Sequence, residues 1–343
     1  MPIVNPHDLP LWANALIFLG GGALIWMAGT RLTRDLDEIG ERTGLDQAFV
    51  GMLLLGGITS LPEVANAITA SAIGVPGLAV NNLLGSAAIN VLLLAVADAA
   101  VGRDAVTSQV AKPSTLMMGA LCMLVLIAVA AAVTTGDVPV SGVGLWSTGL
   151  CALSIGSFWI AAGYDRRAPW TIGMDEPDED RLEPSRRSLR ALVLRSAVAG
   201  TVIFIAGYTL SITGDAVAAQ TGIGAGMVGF VLIGLATSMP ELSTIVAALR
   251  IRRYELAFGQ VLGTNFINLS LILLADAVFA GEPVINELGR FETLSSLLGA
   301  ALVGVFLVGL LERRNPTVLR MGYDSVVVIL LFTGGVALLY AVR

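Results

Sequence analysis

Two short segments, Thr59-Ser60-Leu61-Pro62-Glu63 and Thr237-Ser238-Met239-Pro240-Glu241, each put two hydroxyls, a proline and a carboxylate within little more than one helical turn. Both stand inside long apolar stretches, where an ionisable group costs ~2.5–3.5 kcal/mol on insertion scales and belongs against protein or a water-filled cavity. Proline removes a backbone N–H and collides with the carbonyl four residues back, which frees carbonyls near Ile58 and Ala236. The pattern predicts a locally unwound helix that offers carbonyls, hydroxyls and a carboxylate together, a conformation tolerated in a membrane only where it lines a cavity. Every ligand in that set is oxygen. Two such segments facing one another supply two carboxylates and several neutral oxygens, a set that suits a hard cation such as Ca²⁺ and equally serves Na⁺, which is close to it in ionic size.

A second polar layer follows each segment. Gly85-Ser86-Ala87-Ala88-Ile89-Asn90 and Gly263-Thr264-Asn265-Phe266-Ile267-Asn268 place a hydroxyl four residues before an amide, on one face of a helix. Asn90 lies 27 residues after Glu63, and Asn268 lies 27 after Glu241. Alone, either segment reads as polar glue between packed helices; following a broken acidic helix twice over, they read as further ion ligands. Asp98 and Asp276 fall near the ends of apolar spans, where solvation at the interface is expected.

These coincidences come from an internal repeat. Adding 178 to a residue number in the first half returns the same residue at Ala28, Gly29, Thr43, Gly44, Gly51, Gly56, Thr59, Ser60, Pro62, Glu63, Gly85, Asn90 and Asp98. Glycine and alanine match by chance in a chain this rich in them; the Thr-Ser-x-Pro-Glu block and the distant Asn and Asp do not.

The elements that must hold these residues are membrane spans. Of 343 residues, 55% are hydrophobic and 13% charged, with a mean hydropathy of +0.82, well outside the range of soluble domains. Runs long enough to cross a hydrocarbon layer of ~30 Å are expected at 12–32, 45–73, 77–101, 114–134, 140–163, 192–212, 221–249, 254–280, 292–312 and 322–342. The expected fold is thus an all-α integral membrane protein of ten transmembrane helices. Residues 1–163 form a first five-helix repeat with its motif at 56–90, 164–190 a linker, and 191–343 a second repeat with its motif at 234–268. Five is odd, so the second repeat enters the membrane from the opposite side: the repeats are inverted, with helices two and seven broken at the midplane, where secondary transporters bind their ions.

Charge supports this count. With ten alternating spans, 18 of the 20 basic residues fall on one side, leaving only Arg290 and Arg343 opposite. By the positive-inside rule the linker is cytoplasmic and both termini are not, as in a prokaryotic plasma membrane protein. The first span has no basic region before it and no small-residue cleavage site after it, so it reads as retained. The formal charge of -6 says little when most of the surface faces lipid. His7, the only histidine, is expected in solvent, and Cys122 and Cys151, without motif spacing, as small packing residues.

Several function classes are excluded or disfavoured. No HExxH motif, no Gly-x-Gly-Asp segment and no nucleotide-binding loop is present, which argues against an intramembrane hydrolase using Glu63 and Glu241 and against an ATP-driven pump. The chain reads as a non-enzyme without cofactor, nucleic-acid partner or obligatory protein partner; its partners are ions and the lipid bilayer. A passive channel is the other class its composition allows.

The paired segments, Gly57 to Glu63 with Gly85 to Asn90 and Ala236 to Glu241 with Gly263 to Asn268, resemble the two α-repeats of the calcium/cation antiporter superfamily, in its sodium/calcium exchanger branch. The resemblance spans the whole ten-helix plan. It implies a secondary active antiporter exchanging Ca²⁺ for Na⁺ by alternating access, with spans one and six sliding as a pair. It implies Ca²⁺ held by Glu63, Glu241 and the backbone oxygens of Thr59 and Thr237. Na⁺, or a second layer, falls to Gly56, Ser60, Ser86, Asn90, Gly234, Ser238, Thr264 and Asn268. Three features depart from the family pattern: Asn268 where many exchangers have Asp, Ala87 where Asn is usual, and glycine at 56 and 234 where alanine is common. The first limits the site charge to -2 and leaves H⁺ as the alternative coupling ion, because two carboxylates also accept two protons.

Overall fold

In lipid every backbone N–H and C=O must be satisfied within the protein, and long runs of Leu, Ala and Val answer that demand with helices. The computed structural model describes residues 6–44, 50–72, 74–101, 104–110, 112–164, 188–221, 228–318 and 320–342. The helices are α1 (Leu11–Thr43), α2 (Gly56–Thr59), α3 (Leu61–Ala72), α4 (Pro76–Val101), α5 (Pro113–Thr135), α6 (Leu145–Ala162), α7 (Leu189–Thr221), α8 (Gly234–Thr237), α9 (Met239–Arg250), α10 (Tyr254–Val278), α11 (Arg290–Glu312) and α12 (Tyr323–Val342). Two π-helical turns, Val50–Leu55 and Val228–Ile233, lead into α2 and α8. Two short antiparallel hairpins, Pro139–Val140 with Val143–Gly144 and Thr317–Val318 with Met321–Gly322, precede α6 and α12.

Eight of these helices are long and apolar enough to cross a membrane, and the bent pair Val50–Thr59 and Leu61–Ala72 makes a ninth, among the described residues. The expected span 221–249 corresponds to Val228–Ile233, α8 and α9, with 222–227 outside the described residues. Of the linker 164–190, residues 165–187 also lie outside them, as does the side chain of His7. The offset seen in the sequence extends to structure: Leu11–Thr43 and Leu189–Thr221, Val50–Leu55 and Val228–Ile233, Gly56–Thr59 and Gly234–Thr237, and Leu61–Ala72 and Met239–Arg250 are each 178 residues apart at both ends.

The centre of the molecule is built by α4 and α10, the most enclosed of the spans, whose buried residues include both apolar side chains and the polar layer of Ser86, Asn90, Thr264 and Asn268. Outside them α1 and α7 lie against each other as an antiparallel pair. Arg195 Nε donates to Asp35 Oδ2 at 3.0 Å at one end, and Gln220 Nε2 donates to the Leu9 carbonyl at 3.0 Å at the other. A buried ion pair joins α1 to the start of α10, where Arg253 Nε meets Asp37 Oδ1 at 3.1 Å and its guanidinium also engages Glu41.

Asp98 and Asp276 depart from expectation. Neither is solvated: they are 1% and 3% exposed. Asp98 accepts from the Gly322 and Val106 amides (2.8 and 3.3 Å) and from Ser325 Oγ (2.7 Å), while Asp276 accepts from the Gly144 and Val284 amides (both 2.6 Å). Each carboxylate therefore ties the end of a central helix to the hairpin of the other half, and hydrogen bonding to backbone amides replaces the water it gave up. Cys122 is buried as expected of a packing residue, whereas Cys151 is partly exposed; both are free thiols.

Candidate functional site

The break in each acidic helix is shorter than the sequence suggested. Gly56–Thr59 and Gly234–Thr237 stay helical, and the residue that leaves the helix is Ser60 (φ -79°, ψ 0°) in one half and Ser238 (φ -86°, ψ 5°) in the other. The amides of Ser60 and Ser238 still donate to the carbonyls of Gly56 and Gly234, at 3.1 and 3.0 Å. Pro62 has no N–H to offer Ile58, and the chain turns by 45° there. What the sequence did not announce is the pair of π-helical turns just before; such turns gather at functional sites. Glu63 and Glu241, each one residue beyond its proline, are both fully buried.

Close packing brings the second layer to them. A Cβ on Gly85 would lie 2.2 Å from the Phe230 carbonyl, and one on Gly263 would lie 2.5 Å from Met52 Cα. Only glycine lets α4 and α10 cross the two π turns this closely. Ser86 and Thr264, the next residues, are thereby brought to the motifs: Ser86 Oγ donates to Glu63 Oε1 of its own half at 3.2 Å and is 3.1 Å from Thr237 Oγ1 of the other half. Thr237 lies beside Glu63 and Thr59 beside Glu241, so each motif's threonine is next to the other motif's glutamate.

The arrangement is rich in oxygen and short of hydrogen. Glu63 Oε2, both carboxylate oxygens of Glu241, Ser238 Oγ, Thr264 Oγ1, and both polar atoms of Asn268 are buried without a hydrogen-bond partner. Burying such groups unpaired costs about 1–3 kcal/mol each, more for a charge. Two ionised carboxylates sharing one buried site also repel one another. A cation among these oxygens answers both costs. Among the described residues no cluster of three or more His, Cys, Asp and Glu exists, so a bound cation here meets two carboxylates and otherwise neutral oxygens.

Not every predicted residue stands ready in the same way. The Gly56 carbonyl already accepts from the Ser60 amide and from Ser60 Oγ (2.8 Å), so it reaches an ion only if that hydroxyl turns away. The Gly234 carbonyl accepts from the Ser238 amide and, at 3.3 Å, from Thr237 Oγ1. Asn90 Nδ2 donates to Asn265 Oδ1 at 3.3 Å, and Asn265 Nδ2 reaches the Ala87 carbonyl at 3.2 Å. Residues 87 and 265 are equivalent under the 178-residue offset, so the amide on one side reaches the backbone beside the alanine on the other.

Sequence reasoning missed one turn of this layer. Asn82 and Gln260 stand four residues before Ser86 and Thr264, and both are fully buried. Asn82 Oδ1 accepts from Thr237 Oγ1 at 3.3 Å, and Gln260 Nε2 donates to Thr244 Oγ1, whose own hydroxyl sits 2.9 Å from the Glu241 carbonyl. The signal was available as a third step of the four-residue spacing. It was hidden because Asn and Gln are not identical and a search for repeated identities passes over them.

The fold matches solved structures of the sodium-calcium exchanger NCX_Mj. One of these, soaked with Na⁺ and Sr²⁺, has a TM-score of 0.68 and 17% identity, with 96% of this chain and 99% of that one covered. Among curated proteins, the inner membrane protein YrbG of Escherichia coli is 27% identical over 311 residues, covering 89% of this chain and 90% of its own. The sodium/calcium exchanger MaX1 of Methanosarcina acetivorans is 30% identical over 114 residues, 32% of each chain. The profile of the sodium/calcium exchanger protein family matches residues 13–162 and 192–341, and with nearly all of both halves covered the chain belongs to that family.

Proposed function

We propose that this protein is a secondary active antiporter that exchanges Ca²⁺ for Na⁺ across a prokaryotic plasma membrane, with ten spans in two inverted repeats and both termini outside the cytoplasm. The observation that carries the reading is the pair of fully buried glutamates surrounded by oxygens that lack hydrogen-bond partners. Ca²⁺ binds to Glu63, Glu241 and the backbone oxygens of Thr59 and Thr237. Na⁺ uses those glutamates with Ser60, Ser238, Ser86 and Thr264, the carbonyls of Gly56 and Gly234, and the layer of Asn90 and Asn268. The matched element boundaries support two equivalent halves, and the names carried by NCX_Mj and MaX1 support the ion pair.

Exchange follows from charge. With both glutamates ionised an empty site holds two negative charges, and taking uncompensated charge through the low-dielectric interior is costly. One Ca²⁺ or two Na⁺ neutralise it, so the switch between inward and outward access is open to loaded forms and closed to the empty one. Ions that compete for the same two glutamates and share one neutral-site condition are thereby coupled. H⁺ is the alternative driver, favoured by Asn268, because with no third carboxylate two protons satisfy the same condition. Sealed vesicles separate the two: Ca²⁺ uptake driven by an outward Na⁺ gradient at clamped pH supports Na⁺ coupling, whereas uptake that ignores Na⁺ and follows a pH gradient overturns it.

A further inference from the structure

A groove of about 470 Å³ runs between α1 and α7 on the outer face of the molecule, away from the glutamates. Its walls include Leu24, Met27 and Val198, all exposed, and one end carries Arg31, Arg195 and Asp35. On α1, Leu24 and Arg31 are seven residues apart, about 10 Å along the helix. The groove therefore joins an apolar channel to a charged mouth at a span end, the shape that an acyl chain and its headgroup require.

The charge at that mouth selects the headgroup. Arg195 is paired with Asp35 at 3.0 Å, but Arg31 is exposed and has no ion-pair partner among the described residues. Arg34 and Arg190 are exposed in the adjoining turns of the same two helices, and Glu38 on α1 is engaged by Arg42. Guanidinium groups thus outnumber the one carboxylate lining the mouth, and guanidinium pairs with phosphate through parallel hydrogen bonds. Basic pockets between membrane helices favour anionic lipid in this way.

We propose that the α1–α7 groove is a binding site for one anionic phospholipid, with an acyl chain along Leu24, Met27 and Val198 and the headgroup phosphate on Arg31 and the outward edge of Arg195. A zwitterionic lipid fits the channel but brings its own cation to a mouth that is already positive. The site is independent of which ion drives transport.

The test is lipid retention by the purified full-length chain, read by native mass spectrometry. The protein is offered equal amounts of phosphatidylglycerol and phosphatidylcholine with identical acyl chains. Wild type retains one phosphatidylglycerol in preference, by about five-fold for each engaged guanidinium. Arg31→Gln, at an exposed position that does not threaten folding, lowers the preference, Val198→Trp lowers retention of both lipids by filling the channel, and Arg314→Gln, a surface control, changes neither. Equal retention of the two lipids by wild type overturns the proposal, as does a preference that survives Arg31→Gln combined with Arg195→Gln.

Discussion

Replacing Glu241 by glutamine should stabilise the ion-free protein while abolishing its response to Ca²⁺. Both carboxylate oxygens of Glu241 are buried without a hydrogen-bond partner, and the side chain feels the charge of Glu63. For two ionised carboxylates sharing one site at an effective dielectric near 20, that repulsion is on the order of a few kcal/mol. A neutral side chain of the same shape removes it, and the amide left behind is an orphan no worse than the carboxylate it replaces. Glu63→Gln should gain less, because Glu63 Oε1 accepts from Ser86 Oγ at 3.2 Å and a hydrogen bond to a charged group is worth about 1.5–3 kcal/mol. The assay is thermal unfolding of the purified protein at pH 8 in a chelator and again with saturating Ca²⁺. At one hundred times its Kd, Ca²⁺ adds about 2.7 kcal/mol to wild type and nothing to either variant. A Glu241→Gln protein that melts at or below wild type in the chelator refutes the claim that the empty site stores repulsion. One still stabilised by Ca²⁺ refutes the assignment of the ligand.

Four further outcomes are expected. Asn268→Asp adds a third carboxylate to the buried layer, so vesicle flux assays should show a changed Na⁺ dependence or voltage dependence with Ca²⁺ transport preserved. Gly263→Ala pushes a Cβ to 2.5 Å from Met52 Cα, and with backbone on both sides the loss should lie at the upper end of about 1–3 kcal/mol, visible as reduced folded yield on size exclusion. Arg253→Gln takes away the guanidinium charge that faces buried Asp37, a loss of about 3–5 kcal/mol in thermal unfolding that Asp37→Asn in the same chain should largely restore. Asp276→Asn keeps one acceptor but turns an amide toward a backbone N–H, and loses about 1.5–3 kcal/mol with the grip on Gly144 and Val284.

Much of the architecture was legible because the chain states it twice. The offset found from Thr59, Glu63, Asn90 and Asp98 reappears in the bounds of α1 and α7, of the π turns, and of α3 and α9. The prolines located the breaks; the glycines at 85 and 263 counted only as a repeated identity, and the close crossings they permit were not read from them. The rest was hidden for physical reasons. A π turn differs from an α turn by one hydrogen-bond step, which Val50–Leu55 and Val228–Ile233 do not mark with any residue type. Asp98 and Asp276 looked solvated because they end long spans, and the hairpins that bury them have strands of two residues, too short for an alternating pattern. Arg253 read as one more basic residue at a span end, since its partners Asp37 and Glu41 lie more than two hundred positions away in sequence.

The central claim is that the two motifs form one site and not two, and equilibrium Ca²⁺ binding to the purified chain by calorimetry tests it most directly. The account predicts one Ca²⁺ per chain, with binding lost entirely in Glu63→Gln and entirely in Glu241→Gln. Two Ca²⁺ per chain, with each substitution removing one and sparing the other, would contradict it.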